Sequence, residues 1–220
     1  MAQRSLVKRL WYDSLRFILR LAGVALFQLR CEGRHHIPAE GAVLVLSNHQ
    51  SHLDPPLVGS MCDRRLNFLA RETLFRFPPL RWLIQSCNAI PLDREGLGLS
   101  GVKETLRRLK AGEMVLLFPE GRRTSDGEVA RLKPGFCALA RRSNVTLVPM
   151  AIDGAFDAWP RSQRFPRRAC IHLEVGEPIS PAELSKLDDR ALVAEVQRRI
   201  RACHAKAREG RLRAITVGAV

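Results

Sequence analysis

Four short apolar runs constrain this chain more than any other feature. They are AVLVLS at 42–47, MVLLF at 114–118, VTLVPMAI at 145–152 and CIHLEV at 170–175. A strand with one wet face alternates apolar and polar residues. These runs are largely apolar throughout, so both faces of the sheet they form must be covered. Helical patterns lie between and after them. SGVKETLRRLKAGE places Val102, Leu106 and Leu109 on one side, with Ser100 as a cap and Gly112 as a stop. PGFCALARRSN reads as a short helix, and SPAEL carries a capping box of Ser180 and Glu183 with Pro181 in the first turn. DDRALVAEVQRRIRACHAKAREG turns Leu192, Val193, Val196 and Ile200 inward and a basic face outward. LNFLA and AIPLD are weaker strand candidates. The pattern predicts an α/β domain with a mixed, largely parallel central sheet flanked by helices. With 220 residues, 46% of them hydrophobic, such a domain buries its core without covalent staples.

Ahead of the first strand, SLVKRLWYDSLRFILRLAGVALFQLRCEG reads as helical. Arg9, Asp13, Arg16 and Arg20 form a polar stripe, and Leu6, Leu10, Phe17, Leu21 and Val24 contribute to an apolar side. Its least polar part, from Phe17 to Leu29, is interrupted by Arg20 and Gln28 and is shorter than the ~20 apolar residues that span a bilayer. It lacks a small-residue cleavage site of the A-x-A kind. An interfacial amphipathic helix with Trp11 and the arginines near the headgroups fits the pattern; a helix docked on the protein's own core fits it too. The expected division is a helical segment at 1–30 and a main domain at 31–220.

The net charge of +14 suits a polyanionic partner: nucleic acid, an anionic membrane surface or a phosphorylated small molecule. Aromatic residues make up 6% of the chain, and no RNA-recognition, zinc-finger or basic-zipper pattern occurs, so nucleic acid is not expected. Six cysteines stand singly, without C-x-x-C pairs or zinc-ligand spacing, as buried reduced thiols of a cytosolic protein do. There is neither a G-x-x-x-x-G-K-[ST] phosphate loop nor a G-x-G-x-x-G fingerprint.

In α/β folds, ligands collect beyond the carboxyl ends of the strands. NHQSHLD occupies that place after the first run and PEGRRTSDGE after the second. His49 and Asp54 are five residues apart. On a regular helix they would diverge by about 140°, and in an extended strand by ~17 Å. A tight turn is needed to join them. Once joined, Asp54 accepts the Nδ1 hydrogen of His49 and leaves Nε2 free to take a proton. The alternative is a polar turn in which Asp54, followed by Pro55 and Pro56, simply starts a helix. His52 is a rival base in the same loop; His35 and His36 read as solvated turn residues. In FPEGRRTSDG, arginine forks suit a phosphate, Gly121 permits close backbone approach, and Glu120 can orient an arginine or accept a ligand hydroxyl.

At these residues the chain resembles the glycerophospholipid acyltransferase family, of the lysophosphatidate (1-acyl-sn-glycerol-3-phosphate) acyltransferase type. The motif N-H-x-x-x-x-D stands at Asn48, His49 and Asp54. A basic position before E-L-F is echoed at Arg71, Glu72 and Phe75, and the arginine of F-I-x-R at Arg94. F-P-E-G-T-R-S appears as Phe118, Pro119, Glu120 and Gly121 with Arg123, followed by Lys133 and Gly135. V-P-V-A-I is VPMAI, from Val148 to Ile152. Arg122 replaces the usual threonine, Thr124 the serine, and Pro91 and Leu92 the F-I pair, departures that bear on the acceptor more than on the reaction. The resemblance implies an enzyme at the cytoplasmic face of a membrane, peripheral or monotopic, with 31–220 as its catalytic domain. It would move an acyl group from acyl-CoA or acyl carrier protein, as cosubstrate, to the sn-2 hydroxyl of lysophosphatidate. His49 and Asp54 would be catalytic; Arg71, Arg94, Glu120, Gly121, Arg123 and Lys133 would hold the acceptor; no metal or prosthetic group is implied. Rival readings are another lysophospholipid or amino-acid lipid as acceptor, hydrolysis of the thioester, and a non-enzymatic basic protein binding membrane or nucleic acid.

Overall fold

The computed structural model describes residues 6–92 and 99–218. Among them, helix α1 (Leu6–Phe27) precedes a short strand β1 (Arg30–Glu32) and the first long strand β2 (Val43–Ser47). Next come α2 (Asp54–Met61), β3 (Leu66–Arg71), α3 (Pro78–Ser86), β4 (Ala89–Leu92), α4 (Leu99–Lys110) and β5 (Met114–Leu117). The remainder is α5 (Gly135–Ser143), β6 (Thr146–Asp153), α6 (Ala155–Ala158), β7 (His172–Val175), α7 (Pro181–Leu184) and α8 (Asp189–Gly218). The strands form one sheet in the order β1-β7-β6-β2-β5-β3-β4, parallel except where β6 meets β7.

Alternate residues of each strand feed opposite cores, as the two-residue pleat requires. Leu44, Leu46, Val115 and Leu117 join Leu139, Leu192, Val196 and Ile200 under α5 and α8. Val43, Val45, Met114, Leu116, Leu173 and Val175 join Phe27, Leu57 and Val58 under α1 and α2. Residues 43 to 46 are fully buried, so the apolar runs mark strands covered on both faces. The chain leaves β2 toward α2 on one face and leaves β5 toward α5 on the other. These two strands are parallel neighbours, so their ends open a crevice.

Three local features depart from the sequence pattern. The N-terminal helix does not reach Arg30: Gln28 turns the backbone at φ 46, and residues 30–32 pair with β7 as an edge strand. Ser100 lies inside the first turn of α4 rather than ahead of it. Gly112 does stop α4, at φ 75, and the capping box of α7 is complete. Gly210, by contrast, does not end the last helix, which runs on to Gly218. A Cβ at Gly210 would lie 2.6 Å from Cε1 of His172, so this glycine lets α8 approach β7 closely.

Candidate active site

The β2 strand ends at Ser47, and Asn48 anchors the loop beyond it. Its side chain donates to Ile152 O and accepts from Ile152 N, both at 2.9 Å, tying the loop to β6. The chain then folds back on itself. Asp54 Oδ2 accepts backbone N–H bonds from Gln50 at 2.6 Å and Ser51 at 2.8 Å. The same oxygen lies 2.7 Å from His49 Nδ1. The turn therefore brings His49 and Asp54 together, and α2 starts at Asp54 with its prolines in the first turn. The contact and the helix start hold at once: the helix start fixes the carboxylate, and the carboxylate fixes the imidazole.

Asp54 is fully buried, whereas the His49 side chain keeps 19% of its surface exposed. Its ring stacks on Phe118 at 4.0 Å between centroids, with planes 14° apart. With Nδ1 committed to Asp54, Nε2 is the nitrogen left for a substrate. The second loop closes on the first. Thr124 N donates to His49 O at 2.8 Å, and His49 N donates to Glu120 Oε1 at 3.2 Å. Burial pushes the Glu120 carboxyl up to about 7, a rise that Asp54 and Asp126 reinforce and the N–H groups of His49 and Ala130 oppose. Oε2 of Glu120 is buried and has no hydrogen-bond partner among the described residues. Glu120 thus braces the His49 backbone and keeps one acceptor in hand.

A cavity of about 810 Å³ opens beside His49. Its walls are largely apolar: Leu15 and Leu19 of α1, Pro55, Pro56 and Gly59 of α2, Phe68 and Ala70 of β3, and Leu83 and Ile84 of α3. Gly121, Arg122 and Arg123 also line it, beside the imidazole. Gly121 holds φ 73 there, and the Lys133 side chain runs across it: a Cβ at Gly121 would lie 3.2 Å from Nζ. Of the proposed acceptor set, Glu120, Gly121, Arg123 and Lys133 therefore gather around one turn. Arg71 ends β3, but its side chain is not described, and Arg94 lies outside the described residues. His52 is exposed and tilts against Trp159 at 5.6 Å between ring centroids. His36 Nδ1 lies 2.9 Å from Val175 O, in a short 3-10 turn at Arg34–His36.

Residues 28–153 match the Acyltransferase family. The chain belongs to that family. This acyltransferase is 27% identical over 183 residues to the 1-acyl-sn-glycerol-3-phosphate acyltransferase of Bacillus subtilis, covering 83% of this chain and 87% of that one. It is 30% identical over 188 residues to the mouse 1-acyl-sn-glycerol-3-phosphate acyltransferase alpha, covering 82% and 65%. It is also 31% identical over 180 residues to the N-acylphosphatidylethanolamine synthase of Arabidopsis thaliana, covering 70% and 63%. Against the chloroplastic LPAT1 of the same plant, the acyltransferase spans about half the relative's length, 49%. The crystal structure of the 1-acyl-sn-glycerophosphate acyltransferase PlsC from Thermotoga maritima superposes with a TM-score of 0.80 at 26% identity, covering 92% of this chain and 81% of that one.

Sequence reasoning did not assign the Phe118 ring under His49 or the bracing of His49 by Thr124. Both belong to the FPEGRRT stretch, so their position was visible but their contacts were not. The apolar cavity was also missed. It is assembled from several separate elements and loops, and none of them signals it alone.

Proposed function

We propose that this acyltransferase moves a fatty acyl group from acyl-CoA or acyl carrier protein to the sn-2 hydroxyl of lysophosphatidate, forming phosphatidate. The observation that carries the reading is the His49–Asp54 pair at 2.7 Å, beside an apolar cavity with Arg122 and Arg123 in its lining. His49 Nε2 takes the proton of the acceptor hydroxyl as its oxygen attacks the thioester carbonyl. The carbon–sulfur bond breaks, and the imidazolium returns the proton to the departing thiolate. Asp54 orients the ring and stabilises its charged form. Arg123, with Arg122 beside it, holds the phosphate, and Glu120 Oε2 accepts from a glycerol hydroxyl. The cavity takes the acyl chain, in keeping with its size and apolar lining. Thiol release from acyl-CoA should require lysophosphatidate and fall by roughly 10²–10⁴ in His49→Ala. Equal release without an acceptor would indicate a hydrolase, and near-wild-type transfer by His49→Ala would remove the base from the scheme.

A second acceptor class is favoured by one finding: a relative of 31% identity is named N-acylphosphatidylethanolamine synthase. An amine-bearing lipid acylated faster than lysophosphatidate would establish that reading.

The acyltransferase works at a membrane surface. No helix among the described residues is long and apolar enough to cross one. Instead α1 turns Tyr12, Gly23 and Phe27 inward and exposes Leu10, Trp11, Phe17, Ile18, Leu21 and Val24. Trp11 meets Trp82 of α3 at 5.2 Å, and Phe77 and Trp82 extend the exposed apolar surface. A surface of this kind, on a chain of net charge +14, suits an anionic bilayer. Phe17→Asp with Leu21→Asp should release the protein from anionic liposomes without altering its melting; unchanged sedimentation would exclude α1 as the anchor.

A further inference from the structure

The opposite face of the sheet carries a second group of side chains whose contacts are incomplete. His172 and Glu174 stand two apart on β7 and point toward α8, while Leu173 and Val175 point to the other core. Glu32 of β1 pairs in register with Glu174 and therefore shares its face. His172 is 1% exposed, yet neither ring nitrogen has a hydrogen-bond partner among the described residues; Oε2 of Glu174 is likewise buried and unpartnered. Buried polar groups left this way are costly, and a native fold meets them with water or an ion.

The spacing favours an ion. Nε2 of His172 lies 3.6 Å from Oε1 of Glu32, too long for a hydrogen bond. Two ligands bonded to one zinc at its usual 2.0–2.2 Å, with a tetrahedral angle between them, sit roughly 3.4 Å apart. One ligand atom from each of Glu32, His172 and Glu174 falls within 4.8 Å of the other two. Lys206 Nζ lies 4.0 Å from Glu174 Oε1, but its side chain is 71% exposed and can turn into solvent.

We propose that Glu32, His172 and Glu174 form a site for a divalent transition-metal ion of the zinc type. One imidazole and two carboxylates suit that ion, and a water completes four ligands. Bound there, it would fasten the three-residue edge strand β1, which joins α1 to the sheet. The site is remote in kind from the acyl-transfer centre: it uses none of that centre's residues and lies on the other sheet face. Linear spacing could not reveal it, because Glu32 and His172 are brought together by strand pairing.

The test uses the full chain, stripped with a chelator and titrated with Co²⁺, then with Zn²⁺ in competition. One Co²⁺ per chain is expected, with visible d–d bands and without the near-ultraviolet band of thiolate ligation. His172→Gln should weaken binding by at least ~100-fold, since even outer-shell losses cost roughly 10–100-fold. Glu32→Gln, at an exposed edge position where folding is not at risk, should weaken it by about 10-fold. Absence of saturable Co²⁺ binding, a thiolate band, or wild-type affinity in Glu32→Gln would overturn the proposal.

Discussion

Two histidine–aspartate pairs stand among the described residues, and their surroundings differ more than their geometry. His49 and Asp54 approach to 2.7 Å, His204 and Asp153 to 3.2 Å. Around the first, two backbone N–H groups hold Oδ2 of the carboxylate while the imidazole keeps 19% of its surface open beside the cavity. Around the second, Arg211 Nε donates to Asp153 Oδ2 at 2.6 Å, Arg208 stands 3.5 Å from Oδ1, and both members of the pair are almost fully buried. A pair held by backbone N–H groups and open on one side can exchange a proton with a substrate. A pair enclosed by guanidinium groups is a clamp, here fastening α8 to the end of β6. The chemistry of the residues is the same; access and countercharge set the two pairs apart.

Exchanging each histidine for glutamine tests that assignment most strongly. His49→Gln should cost turnover by roughly 10²–10⁴ and leave the melting temperature nearly unchanged. His204→Gln should do the reverse, lowering the melting temperature while turnover stays within a few-fold. Loss of turnover in His204→Gln without loss of stability would dissolve the distinction. The aspartates come next. Asp153→Asn removes the anion that His204, Arg211 and Arg208 share, while Arg211 keeps Asp157 and Arg208 keeps Glu128, so the stability loss, read from urea unfolding, should fall below the ~3–5 kcal/mol of a buried pair broken outright. Asp54→Asn should instead spare stability relative to Asp153→Asn and suppress transfer, because an amide no longer specifies which imidazole nitrogen carries the hydrogen.

The pH dependence should separate the regions again, with opposite signs. Burial alone would raise the Asp153 carboxyl, but His204 and Arg211 override it and hold it at about 2, below its ordinary 3.8. Its contribution to stability is present above 3.8 and is lost as the pH falls toward 2. Glu120 is pushed from 4.5 up to about 7 by burial. Between those values the folded chain holds a proton that the unfolded chain has released, so this group lowers stability as the pH rises. Glu120→Gln should flatten the melting profile in that window and leave the acid limb to Asp153; an unchanged neutral limb would place the titration elsewhere.

The two regions also differed in how far the sequence disclosed them. The strands at 42–47 and 114–118 were legible because their burial on both faces is written into composition. The proximity of His49 to Asp54 was legible as a condition, since spacing demanded a tight turn, and the ordered motifs raised it to an expectation. The clamp was not legible at all. Asp153 and His204 are 51 residues apart, and their approach results from α8 crossing β6, which no local pattern encodes. Gly210 shows the same limit: the pattern quoted for the last helix ends there, but the helix runs on and packs this glycine closely against His172.

Gln50 joins the two pairs, and its replacement should give the smallest effect. Its backbone N–H donates to Asp54, and its carboxamide donates to Gly127 O at 2.7 Å and accepts from Phe156 N at 3.1 Å. Its Nε2 also lies 3.4 Å from His204 Nε2. Gln50→Ala keeps the backbone bond to Asp54 and removes the side-chain bonds. Two buried hydrogen bonds at ~0.5–1.5 kcal/mol each predict a stability loss of about 1–3 kcal/mol and a decrease in turnover of only a few-fold. If the clamp steadies the catalytic loop through this carboxamide, Gln50→Ala and His204→Gln should be less than additive in stability and in turnover. A double-mutant cycle measures this directly. Strict additivity would make the two His–Asp pairs neighbours that share a fold without sharing a function.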